Sequence, residues 1–264
     1  MGLIASIMFR TARNALPQYG GVMTWDYAQS DFSTWNIIRK NGISANGICK
    51  ALSAQWIVDH AYGGSLVNRI TDAKGSTDPG AIRMVMQNFI LAWDNQEVET
   101  ADFLMKRGIL ERFSSRDVSS TRSRRIGGKS IETTTVRAGT GSLNNVGNGG
   151  NVAIDLSNAL RKVSNGYAQI DFGGAGVGHA TAAWIGGPSY NSGGDATFFD
   201  PNCGEYWFAD KSQFFDWFRL FYANSYQGFP CKFNSRWSVR QWALSNTAAK
   251  GAYAKAVLSV AGAR

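Results

Sequence analysis

Cysteine, histidine and long apolar runs are all scarce in this chain, and each scarcity removes a class of explanation. Three cysteines (Cys49, Cys203 and Cys231) among 264 residues are too few for a disulfide framework and lack metal-ligand spacing. A reducing compartment fits, and neither a metal nor a cofactor is implied. Only two histidines, His60 and His179, are available for proton transfer. The apolar runs are far too short to cross a bilayer. The N-terminus carries no continuous apolar core with a small-residue cleavage site, so no secretory signal is expected. Charged residues, at 17%, fall below the usual quarter or so, while nine Trp and fifteen Phe supply bulk for a core. Such a composition belongs to a folded protein and not a disordered one. We read a single domain of two lobes.

The net charge of +8 matters less than where it sits. Between Arg107 and Arg137 the chain carries Arg107, Arg112, Arg116, Arg122, Arg124, Arg125, Lys129 and Arg137 against Glu111, Asp117 and Glu132, in a Ser, Thr and Gly background. Arg112, Arg116, Arg122, Arg124 and Arg125 suit an acidic membrane surface or an acidic partner; equally, the segment reads as a solvated insertion. No aromatic residue interleaves with the basic ones after Phe113, which argues against a nucleic-acid stacking platform.

The segment Asn46–His60, NGICKALSAQWIVDH, organises the rest. Asn46 and Gly47 are helix-start residues, and Ile48, Ala51, Leu52, Ala54, Trp56, Ile57 and Val58 cover most of a helix circumference, as in a buried helix. Cys49 stands in its first turn. There the unpaired backbone amides and the positive end of the helix dipole favour the thiolate, the reactive form. A free cysteine is also a serviceable small core residue, so position alone leaves both readings open.

In chain order, MGLIAS fits the Met-Gly-x-x-x-Ser pattern for N-myristoylation at Gly2. Residues 1–24 read as a leader or amphipathic segment, and 25–113 as a helical lobe. Asp78-Pro79 starts one helix there, and another is expected over Glu97–Phe113. Residues 114–151 read as a basic, Gly/Ser-rich loop, and 152–264 as a β-sheet lobe with C-terminal helices. Within it a helix covers Val152–Val163. YAQIDF (167–172), GHATAAWI (178–185), ATFFD (196–200) and EYWF (205–208) then form an antiparallel meander. Asp210 or Ser212 caps an aromatic helix through Phe214, Phe215, Trp217, Phe218 and Phe221, and an alanine-rich segment closes the chain.

If Cys49 reacts it needs a base. His60 lies eleven residues further along the same helix, roughly 16 Å away along its axis, and reads as a surface or interhelix histidine. His179, flanked by Gly178 and Ala180, is the base by elimination. An imidazole in that role works best with a third group fixing its tautomer. Asp200 ends the next apolar strand before the Pro201-Asn202 turn. Paired as a hairpin, the two strands bring His179 beside Asp200. A cysteine at a helix start with His and Asp on adjacent strands is the arrangement of a papain-like thiol enzyme. The expected fold is α+β, an N-terminal helical lobe carrying the Cys helix packed on a C-terminal antiparallel sheet lobe carrying His and Asp.

The phrases GICKALSAQWI, GHATAAWI and FFDPNCGEYWF resemble the YopT/AvrPphB group of cysteine proteases, papain-like bacterial type III effectors, and stand in that group's order. The resemblance implies Cys49 as nucleophile, His179 as general base, Asp200 as its orienting carboxylate, and delivery into a host cell without a Sec-type signal peptide. Cys49 comes early in the chain, so the long N-terminal secretion or chaperone-binding region of some members is expected to be short or missing. Members cut prenylated Rho GTPases near their C-termini, or plant kinases. A chain at +8 matches a basic tail poorly unless acidic residues line its cleft, so the substrate is not carried over. For the oxyanion, the Cys49 backbone N–H with Asn46, and Asn41 second, are the donors expected. A transglutaminase-like acyltransferase or deamidase, a non-enzymatic basic binding module and a papain-like scaffold with a blocked cleft are the alternatives.

Overall fold

The computed structural model describes residues 2–29, 36, 48–91, 99–116, 122–126, 129–133, 135–137, 151–174, 177–188, 193–228, 231–233 and 236–245. Its centre is an eight-stranded sheet. The strands are β1 (Gly21–Trp25), β2 (Ile109–Arg116), β5 (Thr135–Arg137), β6 (Gly166–Gly174), β7 (Val177–Ile185), β8 (Ala196–Asp200), β9 (Gly204–Phe208) and β10 (Arg236–Leu244), ordered β1-β9-β8-β7-β6-β10-β2-β5. All pairings are antiparallel except β2 with β5. The middle strands alternate between two cores. Ala168, Ile170, Phe172, Ala183, Ile185 and Phe198 enter one, Tyr167, Ala182 and Phe199 the other. Burial on both faces is why these strands read as nearly continuous apolar runs.

Helices α2 (Ile48–Ala61), α3 (Leu66–Ile70), α4 (Pro79–Leu91) and α5 (Glu99–Met105) fill one core; α1 (Gly2–Ala15), α6 (Asn151–Leu160) and α7 (Lys211–Tyr222) fill the other. Helix α2 is buried nearly all round, from Ile48 through Asp59. Its hydroxyl-bearing Ser53 donates to the Ala180 carbonyl of β7 at 3.0 Å, and Trp56 Nε1 donates to Glu205 Oε2 at 2.6 Å. Two caps behave as the sequence suggests. Asp78 accepts from the Gly80 and Ala81 amides at the start of α4, and Asp210 caps α7 by accepting from the Ser212 amide.

Several elements differ from the sequence reading. The helix expected over Glu97–Phe113 stops at Met105, and Gly108, at φ 72°, turns the chain into β2. Residues 114–151 are not all loop: Arg122–Ile126 (β3) pairs antiparallel with Lys129–Thr133 (β4), and β5 adds to the main sheet. Alternation in this stretch is carried by Ser, Thr and Arg, so it gave no apolar strand signal. Helix α1 is amphipathic: Phe9 and Ala12, with Leu16 just after it, sit in the core, and β1 edges the sheet. Strand β10, between β6 and β2, was missed because its turn signals are weak and its polar positions (Ser238, Arg240, Gln241) interrupt the apolar ones. The alanine-rich segment after residue 245 lies outside the described residues.

Candidate active site

Cys49 is the second residue of α2 and is 5% exposed. Its partner comes from the sheet. The β7–β8 register runs from Ile185↔Ala196 to Ala182↔Phe199; one further pair sets Asp200 opposite Thr181, with His179 two residues on along the same face. Diagonal neighbours of this kind are within side-chain reach, and His179 Nε2 lies 2.8 Å from Asp200 Oδ1. With Nε2 committed to the carboxylate, Nδ1 is left to face Cys49, which helps to raise the imidazole. The Ser53–Ala180 bond, one helical turn beyond Cys49 and one residue beyond His179, docks helix on strand at this point.

The turn after β8 is built around Asp200. Cys203 N donates to the Asp200 carbonyl at 3.0 Å, closing a four-residue turn with Pro201 at its second position, where the ring's fixed φ is already correct. Asn202 N donates to Asp200 Oδ1 at 2.8 Å. Gly204 follows at φ 103°, where a Cβ would lie 2.1 Å from the Trp25 carbonyl oxygen, so only glycine allows β1 to close against β9 there. Tyr226 donates its hydroxyl proton to Asp200 Oδ2 at 2.7 Å. The carboxylate is fully buried and accepts three hydrogen bonds, as a buried charge requires.

Burial works against a charged His179, but the Asp200 charge and hydrogen bond, followed by the contact with Cys49, outweigh it and lift the imidazole to about 10. His60 moves the other way, lowered by burial despite Glu205 and Asp195. The remaining thiols are unfavourably placed: burial, then the nearby Asp200 charge, pushes Cys203 well up and raises Cys231. Burial and the Asp200 charge thus hold Cys203 and Cys231 toward the protonated form, and Cys49 is the thiol that stands against the raised imidazole.

Cys49, His179 and Asp200 come together as the sequence suggested. His60 does not join them. It lies against the sheet, with Nδ1 2.9 Å from the Tyr167 hydroxyl and its ring stacked near Trp184. Asn41 and Asn46 lie outside the described residues, as do the side chains of Arg116, Arg122, Arg124 and Arg125; Arg112 is exposed. Ser53, Asn202 and Tyr226 were missed. Asn202 stood in the noticed Asp-Pro-Asn turn, whereas nothing in the sequence separated Tyr226 from the other aromatic residues around it. Among the described residues no cluster of His, Cys, Asp and Glu could hold a metal, and no helix is long and apolar enough to cross a membrane.

The chain is similar to several known proteins. Residues 13–239 match the model of the peptidase family C58, described as Yersinia/Haemophilus virulence surface antigen. Cysteine protease yopT1 of Yersinia enterocolitica is 31% identical over 242 residues, covering 89% of this chain and 69% of that protein. Cysteine protease YopT of Yersinia pestis is 29% identical over the same length. Among solved structures, the Pseudomonas avirulence protein AvrPphB is similar at 17% identity with a TM-score of 0.44, over 76% of this chain and 93% of that one.

Proposed function

Since this chain belongs to the C58 peptidase family of Yersinia/Haemophilus virulence surface antigens and is a cysteine peptidase, we propose that Cys49, His179 and Asp200 are its catalytic triad. The Cys49 thiolate attacks a peptide carbonyl carbon. His179 passes its Nδ1 proton to the departing amine, which leaves a thioester on Cys49. A water then gives a proton to His179 and attacks the thioester, releasing the acid and restoring the Cys49 thiolate beside the imidazolium. Asp200 takes no proton; it holds the imidazole by Nε2 and offsets its charge. The observation that carries this reading is the His179 Nε2–Asp200 Oδ1 distance of 2.8 Å, with Cys49 near enough to the same ring to help raise it. The Cys49 backbone N–H with the Asn46 side chain, or Asn41 in its place, donates to the oxyanion. Loss of one such donor typically costs about a hundredfold or more, and the reading of these asparagines fails if Asn46→Ala and Asn41→Ala both keep nearly full activity.

The substrate is a protein. We place the enzyme's work in the reducing cytosol of a host cell, as a type III effector. Arg112, Arg116, Arg122, Arg124 and Arg125, with a myristoyl group on Gly2, would bring it to an acidic membrane. Labelling of new N-termini in a eukaryotic lysate, compared between the unmodified enzyme and Cys49→Ala, tests the chemistry. New termini that depend on Cys49 are the expected result. Deamidated or cross-linked glutamines without new termini point instead to a transglutaminase-like enzyme. Flotation on phosphatidylserine vesicles should weaken with salt, and unchanged partitioning of Gly2→Ala in a eukaryotic cell disposes of the lipid anchor.

A further inference from the structure

Helix α7 runs on past Tyr222 into a wider π-helical turn, Ala223–Gln227, and such turns are rare. It carries two buried tyrosines whose rings lie 6.3 Å apart and whose hydroxyls diverge. Tyr222 donates to the Phe233 carbonyl, well inside the core. Tyr226 donates to Asp200 Oδ2, and its direction is fixed: an ionised carboxylate can only accept, so the one hydroxyl proton goes there, and Asn202 Nδ2 donates to the Tyr226 oxygen at 3.1 Å. Asn202 Nδ2 also lies 3.4 Å from His179 Nε2. Both nitrogens carry hydrogens in this arrangement, so that approach is a contact and not a hydrogen bond. The Asn202 carbonyl is held in turn by Gln29 Nε2 at 2.6 Å. The Tyr226 ring stacks on the His179 imidazole, with centroids 5.2 Å apart and 26° between planes, while Phe172 meets the same imidazole edge-on at 5.5 Å.

We propose that Tyr226, oriented by Asn202, is a positioning residue for the thiolate–imidazolium pair: its hydroxyl holds the second oxygen of Asp200 and its ring sets the plane of His179. The inference rests on the triad reading above. The group has a reason to be tyrosine and not phenylalanine. Without the hydroxyl, a buried carboxylate oxygen has no donor, and the ionised form that sustains the imidazolium weakens. Besides Asp200 and His179, the titratable groups facing this cluster are Cys49 from α2, Cys203 from the turn and Cys231; Arg13 of α1 reaches the Cys203 carbonyl at 2.7 Å and the Tyr206 hydroxyl at 3.2 Å.

With only two histidines in the chain, titration of 15N-histidine-labelled protein by NMR reads His179 directly. Alkylation of Cys49 by iodoacetamide at pH 7, read by peptide mass spectrometry, reads its partner. In Tyr226→Phe the His179 midpoint should fall by about one pH unit, the scale of one hydrogen bond to a charge, and alkylation should slow with it. Tyr222→Phe, which alters the same helical turn away from the site, should move neither. A tyrosine that merely packs would change the melting temperature and leave both readouts in place, and that result overturns the proposal. If His179→Ala leaves Cys49 alkylation unchanged, the triad itself is wrong and this inference goes with it. Dependence on His179 with a Tyr226→Phe profile overlying the unmodified one removes only the role of Tyr226. Should Tyr226→Phe not fold, Asn202→Ala tests the same network through a half-buried side chain, with a smaller shift in the same direction expected and no shift counting against it.

Discussion

Asp200→Asn removes a charge and almost no volume, so it isolates what the carboxylate contributes. The fold should tolerate it. The amide oxygen can keep the Asn202 N–H now held at 2.8 Å, and the amide nitrogen then faces Tyr226, whose hydroxyl can turn to accept. What disappears is the charge that opposes burial at His179. Burial lowers that imidazole, and the Asp200 charge and hydrogen bond are the largest influences raising it, to about 10 from 6.5. That difference corresponds to a preference for imidazolium of roughly 5 kcal/mol, most of it from Asp200. With asparagine in place, burial decides, His179 is neutral at pH 7, and no imidazolium stands beside the sulfur. The same replacement in a serine protease triad costs about ten-thousandfold in kcat, and about a thousandfold or more is expected here. NMR of the two labelled histidines makes the cause visible. In the unmodified protein they should titrate on opposite sides of 6.5, His60 below and His179 near 10; in Asp200→Asn, His179 should fall below 7. An Asp200→Asn enzyme with an unshifted His179 and undiminished activity would refute the assignment of Asp200.

Four further outcomes follow from the same geometry. Iodoacetamide at pH 7 should modify Cys49 well ahead of Cys203 and Cys231, whose thiols burial and the Asp200 charge hold in the protonated form; equal rates at all three, by peptide mass spectrometry, would contradict it. Because the folded His179 is raised, its stabilising contribution is complete below about 6.5 and is lost as pH rises through about 10, so melting temperatures should decline over that window and Asp200→Asn should flatten the decline. Ser53→Ala takes the donor from the Ala180 carbonyl and should cost about 1 kcal/mol, a few degrees in Tm for a chain of this size. Gly204→Ala places a Cβ against the Trp25 carbonyl at a left-handed φ and should cost roughly 3 kcal/mol or more, with loss of activity as the Asp200 turn shifts; a variant melting like the unmodified protein would mean the turn can relax.

How far the fold was legible depended on whether burial left a pattern. Helix α2 is apolar almost all round, and β8 is buried at every position, so both announced themselves from composition over a few residues. Strand β9 was framed by turn residues and alternates buried with half-exposed positions. Strands β2 and β10 carry Arg, Ser, Gln and Glu among their apolar residues because they lie toward the far edge of the sheet. Their identity comes from pairing with each other and with β6, a long-range fact that no local window contains. The burial of the N-terminal helix was not legible for a related reason. Phe9, Ala12 and Leu16 form a short stripe that means little until α7 and the π turn are there to receive it, with Phe9 stacked on Phe221 and Trp217 Nε1 donating to the Ala12 carbonyl.

The site shows the same division more sharply. Cys49, His179 and Asp200 could be found by exclusion, because thiols and imidazoles are so few that each had one plausible use, and because an antiparallel hairpin fixes which residues become diagonal neighbours. Exclusion has no purchase on the residues around them. The chain has fifteen Phe and nine Tyr, and Tyr226 differs from the rest only by the 2.7 Å between its oxygen and Asp200. Ser53 differs from other helical serines only by facing Ala180. These groups act through geometry at a scale finer than a sequence period, yet the charge on His179 leans on them: each donor to a carboxylate buried as deeply as Asp200 supports it in part. Loss of Asp200 should therefore remove the imidazolium outright, whereas loss of Tyr226 should weaken it by steps, and the two variants ought to fall in that order on the His179 titration.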